Sequence, residues 1–171
     1  VRAVVAMNLP RMARHLLTGR ARVRRCFPPA CIAAITRAIA DSETTHHGEI
    51  RFAIEAALSP LHVLRGTDAR ERALELFSAL RVWDTEHNSG VLIYVLLADQ
   101  AIEIVADRGI HLRAADGTWA AIAQAMRDEF SGGRYQAGAL AGIAAVSREL
   151  NRHLPAADGA PNELGDDVTL L

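Results

Sequence analysis

The sequence predicts an α/β protein: a three-layer α/β/α sandwich around a small mixed sheet, Rossmann-like in its central unit. Three observations carry this. Residues 91–98 are eight consecutive apolar residues, the pattern of a strand covered on both faces. Ala98-Asp99-Gln100-Ala101 is a short polar turn, and the alternating Ile102-Glu103-Ile104 beyond it folds a second strand straight back. Upstream, an alternating segment at 49–58 and a helical pattern starting near Thr67 complete a β-α-β unit, whose two strands should run parallel.

Taken in order, residues 7–19 place Leu9, Met12, Ala13, Leu16 and Leu17 on one helical face and Arg11, Arg14 and His15 on the other, with Gly19 as the stop. Met7 is a candidate start, with residues 1–6 upstream of it. Arg20, Arg22, Arg24 and Arg25 follow, so residues 1–26 read as a basic arm with a short amphipathic helix. Pro28-Pro29 opens a helix in which Ile32, Ala33, Ile35, Ala38 and Ile39 recur at helical spacing, and Gly48 breaks it. In the strand at 49–58, Ile50, Phe52 and Ile54 face one side while Glu49, Arg51 and Glu55 predict a less buried second side. Residues 59–66, with Pro60, form a connection. Thr67 is the candidate cap of the next helix, which runs on through Ala73, Leu74, Leu76, Phe77 and Leu80 with Glu71, Arg72 and Glu75 on its solvated face. After the hairpin, Asp116-Gly117 turns and Thr118 caps a helix with the stripe Trp119, Ile122, Ala123, Met126 and Phe130. A last helix runs from Tyr135 to His153, and its small residues Ala137, Gly138, Ala141, Gly142 and Ala145 permit close approach of a neighbour. Residues 27–155 thus form one α/β domain, and 156–171 an acidic tail expected to be disordered.

Composition excludes several classes. The formal net charge is −1, half the residues are hydrophobic, and the basic cluster has no interleaved aromatic residues, so nucleic acid is not an expected partner. All basic residues are arginine, which reads as codon bias. Cys26 and Cys31 lack the spacing of a zinc or redox pair. No apolar run reaches the roughly 18 residues of a membrane span, and residues 1–26 have no apolar core followed by a small-residue cleavage site, so a secretory signal is not expected. A cytoplasmic protein, peripheral to the inner membrane through its basic arm, is the expectation. Walker, dinucleotide-binding, nucleophile-elbow and HExxH motifs are absent, so no organic cofactor is expected.

The topology gathers polar residues at one sheet edge. The starts of the two parallel strands and the end of the third bring together Glu43, His46, His47 and Glu49, then Asp84, Thr85, Glu86, His87 and Asn88, then Asp107 and Arg108. Converging carboxylate, amide and hydroxyl oxygens suit a hard cation, Ca²⁺ or Mg²⁺. This edge departs from the rule that ligands sit at the carboxyl ends of parallel strands, although the third strand does present its carboxyl end there.

The stretches SETTHHGEIRF, WDTEHNSGVLIYVLLAD, EIVADRGI, FSGGRY and LNRHLP, with the Trp119 helix, resemble the TPM domain family, named for a thylakoid lumen protein, a photosystem repair protein and a nematode receptor-associated protein. The resemblance covers about residues 27–155. It implies an α/β sandwich with an acidic, divalent-cation-associated groove, acid phosphatase activity in some members, and assembly or repair of membrane complexes in others. Carried over by position, it implies a cation site of Asp84, Thr85, Asn88 and Asp107, with Glu43 and Glu49 nearby, and Asp107 and Arg108 as catalytic groups if the protein is a phosphatase. The family's common export signal and C-terminal anchor are not expected for this chain, which reads His87-Asn88-Ser89-Gly90 where relatives often have Arg-Asn-Gly. The expected function is a cation-associated binding or assembly module at a membrane surface or protein complex, with a metal-assisted phosphatase as the alternative.

Overall fold

A computed structural model describes residues 8–156 and 164–171. Helices α1 (Leu9–Leu17), α2 (Arg20–Cys26) and α3 (Pro29–Glu43) lead into strand β1 (Glu49–Glu55). Then come α4 (Pro60–Arg65), α5 (Ala69–Ala79), β2 (Gly90–Leu96), β3 (Ala101–Ala106), α6 (Arg108–His111), α7 (Thr118–Ser131), α8 (Tyr135–His153) and β4 (Thr169–Leu170). The sheet order is β3-β2-β1-β4. β1 and β2 are parallel, with Glu49 opposite Gly90, and β3 returns antiparallel, with Val91 opposite Ala106. The predicted β-α-β unit and hairpin are both present.

Side-chain alternation splits the sheet into two apolar faces. Ile50, Phe52, Ile54, Val91, Ile93 and Val95 pack against Ile35 and Ile39 of α3, Met126 of α7 and Ile143 and Val146 of α8. Ala53, Leu92, Tyr94, Leu96 and Val105 pack against Val63 of α4 and Ala73 and Leu76 of α5. Helices on both faces make the three-layer sandwich. β1 is therefore buried on both sides, and the less buried second face expected for it is corrected: only Arg51 is partly exposed. Gly138 and Gly142 do serve close approach, since a Cβ there would strike Phe130 and Met126 of α7.

Other expectations are also corrected. The arginine cluster is helical, and the 59–66 connection contains α4. The cap of α5 is Asp68, not Thr67: its carboxylate accepts from the Glu71 N–H at 2.8 Å while Glu71 accepts from the Asp68 N–H, a capping box. Gly117, not Thr118, precedes α7. The tail is not structureless throughout. Thr169 and Leu170 pair in parallel with Ala53 and Ile54, and Arg51 donates to the Gly165 carbonyl. Residues 157–163 of that tail, and Met7 with residues 1–6, lie outside the described residues.

The amphipathic arm departs from the prediction: of its apolar face only Met12 packs, half-buried, against the core, and of its polar face Arg14 stays exposed while Arg11 and His15 turn inward. His15 is buried, whereas Leu16 and Leu17 are 68% and 86% exposed. Its polar face has a specific receiver, the hairpin turn: Arg11 donates to Asp99 at 2.7 Å, and His15 Nε2 lies 3.1 Å from the same carboxylate. His15 Nδ1 accepts from the Leu58 N–H at 2.9 Å, which leaves the proton on Nε2, facing Asp99. Burial raises the Asp99 pKa, but Arg11 and His15 outweigh it and hold the carboxyl below its ordinary value.

Candidate functional site

The edge predicted from strand pairing exists, and glycine makes its closest contact. The Asp107 N–H donates to the Gly90 carbonyl at 2.8 Å, which fixes the end of β3 beside the start of β2. Gly109 then lies directly on the loop before β2. A Cβ at this position would overlap the backbone carbonyl oxygens of His87 and Asn88, so only glycine lets the two segments touch. Asn88 holds φ +50, a left-handed conformation that asparagine tolerates better than most residues.

Within this contact Asp107 caps the short α6. Its Oδ1 accepts from the Arg108 N–H at 2.7 Å. Oδ2 is buried and has no hydrogen-bond partner among the described residues. Arg108 and Asp84 are exposed and Asn88 is half-buried. Thr85 is buried, and its hydroxyl accepts from the Ser89 N–H at 2.9 Å. Ser89, fully buried, donates its hydroxyl to the His47 carbonyl at 2.8 Å and so cannot serve as an exposed nucleophile. His47 and His87 meet edge to face across the site, with ring centroids 5.3 Å apart.

Glu43 and Glu49 have other engagements. Glu43 is buried, and its Oε1 accepts from the Ile50 N–H at 2.7 Å. Glu49 is also buried, and its Oε2 accepts from the Leu164 N–H of the tail at 3.1 Å. Burial pushes the Glu43 pKa up to about 9, against the Ile50 N–H, which lowers it; Glu49 and Asp166 raise it further. Glu43 is thus a protonated acid at neutral pH, bridging the helix end to β1. His46 is a core residue: Nδ1 lies 2.9 Å from the Gly48 carbonyl, and burial lowers its pKa, so it is neutral. Among the described residues, no group of three or more His, Cys, Asp or Glu side chains is arranged to hold a metal. A cation on this edge would draw on Asp107 together with amide, hydroxyl or carbonyl oxygens and water.

The Glu43 assignment has a pH consequence. An acid whose folded pKa lies above its unfolded one binds more protons when folded, so it makes stability fall as pH rises between the two values. In chelator, Glu43→Gln should match the wild type near pH 4.5. It should then become progressively more stable than wild type towards pH 9, by at most about 1.4 kcal/mol per pH unit. Urea unfolding at a series of pH values reads this out. A pH-independent difference would show that Glu43 is ionised in the fold.

A second polar constellation was not anticipated. Glu55, at the end of β1, is buried and bound by Arg72 of α5 (Nε–Oε2 2.9 Å, Nη2–Oε1 3.1 Å) and by the Tyr94 hydroxyl at 2.7 Å. Arg72 therefore turns inward, not to the solvated face expected for it. The available signal was Glu55 itself, a carboxylate in an apolar strand, which requires a charged partner when buried.

Comparison with known proteins agrees with the fold. The chain is similar in structure to the BA42 protein from the psychrophilic bacterium Bizionia argentinensis, with a TM-score of 0.73 and 28% identity over 83% of this chain and 93% of that one. It also shares its fold with the N-terminal domain of a P. gingivalis protein, at a TM-score of 0.58 and 19% identity over 78% of this chain and 87% of that one. A search of curated proteins found no match. A family model described as the TPM domain matches residues 25–149, from the end of α2 into α8 and including β1, β2 and β3, and this chain belongs to that family.

Proposed function

We infer that this TPM domain is a binding or assembly module whose Asp107 edge takes up a divalent cation, Ca²⁺ or Mg²⁺. The observation that carries this reading is Asp107 Oδ2, a buried carboxylate oxygen with no partner among the described residues. Leaving such an atom unpaired is costly, and a hard cation is a partner that satisfies a carboxylate oxygen. Binding is favoured over the alternative, metal-assisted phosphomonoester hydrolysis by Asp107 and Arg108. Ser89 and Thr85, the hydroxyls nearest in the loop, are buried and engaged with backbone groups.

Thermal unfolding with millimolar Ca²⁺, Mg²⁺ or Mn²⁺ tests the reading, since a ligand of the folded state raises the midpoint by mass action. The expected result is a rise in wild type that Asp107→Asn abolishes. A rise that persists in the variant overturns the site. Hydrolysis of p-nitrophenyl phosphate that depends on both cation and Asp107 would replace the binding reading with the phosphatase one.

The arm supplies the membrane half of the reading. Leu9, Leu16 and Leu17 of α1 are exposed, as are Leu61 and Leu64 of α4, which packs beside it. With the arginines of α2 next in sequence, these exposed leucines would offer an anionic lipid headgroup layer an apolar surface with a basic flank. Leu16→Glu with Leu17→Glu should abolish sedimentation with anionic vesicles without loss of stability, because both side chains are already in solvent. Undiminished sedimentation would remove the arm from the account. Among the described residues no helix is long and apolar enough to cross a membrane.

A further inference from the structure

β3 is an edge strand, and two arginines guard it in an unusual way. Antiparallel alternation turns the peptide groups of Ala101, Glu103 and Val105 towards β2 and those of Ile102 and Ile104 outward. Arg127 of α7 donates to the Ile102 carbonyl at 2.8 Å, and Arg70 of α5 donates to the Ile104 carbonyl at 2.7 Å. The two helices belong to opposite layers, so each reaches round the edge from its own face. Only the carbonyls are capped; among the described residues the outward N–H groups of Ile102 and Ile104 have no backbone partner outside the strand.

The space beside this edge is open. Clefts of about 470 and 320 Å³ adjoin at Ile102 and Arg127, and together they follow the strand from Gln100 to Ile104. Their charged walls are Arg22, Arg70 and Arg127 against Glu103 and Asp128. Arg127 has no ion-pair partner among the described residues; Gln124 Oε1 and the Ile102 carbonyl hold its guanidinium in place. Arg70 lies only loosely against Glu103, at 3.7 Å, and its side chain is 47% exposed.

We propose that the open edge of β3 is a strand-addition site for an extended, acidic peptide of a protein partner, with Arg70 and Arg127 as displaceable caps. An incoming strand would accept from the Ile102 and Ile104 N–H groups and donate to their carbonyls, as peptides do on exposed sheet edges. The released guanidinium groups would pair with the peptide's carboxylates, which makes acidic sequence the selected kind. A basic or neutral peptide would displace the same caps with no replacement for them. The site rests on the reading of this domain as a binding module, but not on the cation, because its contacts lie on the outer edge of β3 and not in the Asp107 loop.

The test is amide NMR of the full chain in chelator, titrated with a short peptide alternating valine and glutamate and with its valine–lysine counterpart. The expected result is shift change and exchange protection at Ile102 and Ile104 with the acidic peptide. Binding should be about tenfold weaker or more with the lysine peptide, and should weaken on raising salt from about 0.05 to about 0.5 M. Arg70→Gln with Arg127→Gln should lose the charge selectivity. Equal binding of both peptides, or no response at Ile102 and Ile104 at millimolar peptide, overturns the proposal. So does concentration-dependent dimerisation of the double variant without peptide binding, which would make the arginines guards against self-pairing only. Should the double variant fail to fold, the wild-type selectivity and the location of its shifts decide the matter.

Discussion

Arg72→Ala is expected to destabilise the protein by about 3–5 kcal/mol, the largest single-residue effect that the charge arrangement implies. The loss is not that of a surface ion pair, which is worth about 0–1 kcal/mol. Glu55 is buried at the end of β1, and Arg72 satisfies both of its oxygens. Without the guanidinium the carboxylate remains in the apolar layer with only the Tyr94 hydroxyl. That hydroxyl is already dependent on Glu55: burial first, and then the neighbouring carboxylate, push the Tyr94 pKa far above its usual value, so it donates and never ionises in ordinary buffers. Tyr94→Phe removes one donor and leaves the ion pair, so it should cost about 1–2 kcal/mol. Urea unfolding with an unchanged slope measures both. A cost below about 1 kcal/mol for Arg72→Ala would show that water reaches Glu55 and that the pair is a surface one.

Gly109→Ala is the second substitution with a large expected effect, because the added methyl group meets backbone and not a side chain that can rotate away. The His87 and Asn88 carbonyl oxygens would overlap the new Cβ. Overpacking of this kind costs about 1–3 kcal/mol, and the upper part of that range applies where the colliding atoms belong to a loop fixed at both ends. This loop is fixed by the Ser89 N–H to Thr85 bond and by entry into β2. The substitution should separate the loop from Asp107, and so also remove any cation-induced rise in midpoint. Unfolding measurements with amide shifts at His87 and Asn88 report both effects. A stable variant with an undisturbed loop would mean that the two segments are less close than described.

The sheet was legible because its signals are local. Eight apolar residues, a polar turn and an alternating return determine strand, hairpin and register together, and register in turn places Asp107 beside the loop at 84–90. The helix from Tyr135 to His153 was equally readable, bounded by Gly132-Gly133 and Pro155. Errors arose where a distant partner overrides local pattern. The leucine stripe of α1 predicted its buried face, yet Asp99, far along the chain, gives Arg11 and His15 a buried counter-charge that the leucines cannot match. Local pattern puts Arg72 in solvent because nothing near it in sequence reveals Glu55. At the site, the sequence gathered the acids at one edge. It did not show that Glu43 caps the Ile50 N–H or that the tail engages Glu49, since both depend on packing. The tail's composition reads as disorder, and its last residues still add a strand because β1 leaves an edge open to them.

The proposal of a cation at the Asp107 edge is most directly tested with Mn²⁺, whose unpaired electrons broaden nearby amide signals. Substoichiometric Mn²⁺ added to the full chain should first erase the amides of Asp107, Arg108 and Gly109 together with those of His87 and Asn88. Excess Ca²⁺ or Mg²⁺ should restore them, and Asp107→Asn should show no selective loss. Broadening that begins instead at the acidic tail around Asp166 and Asp167, and survives in Asp107→Asn, would contradict the account and leave the buried oxygen of Asp107 without a cation.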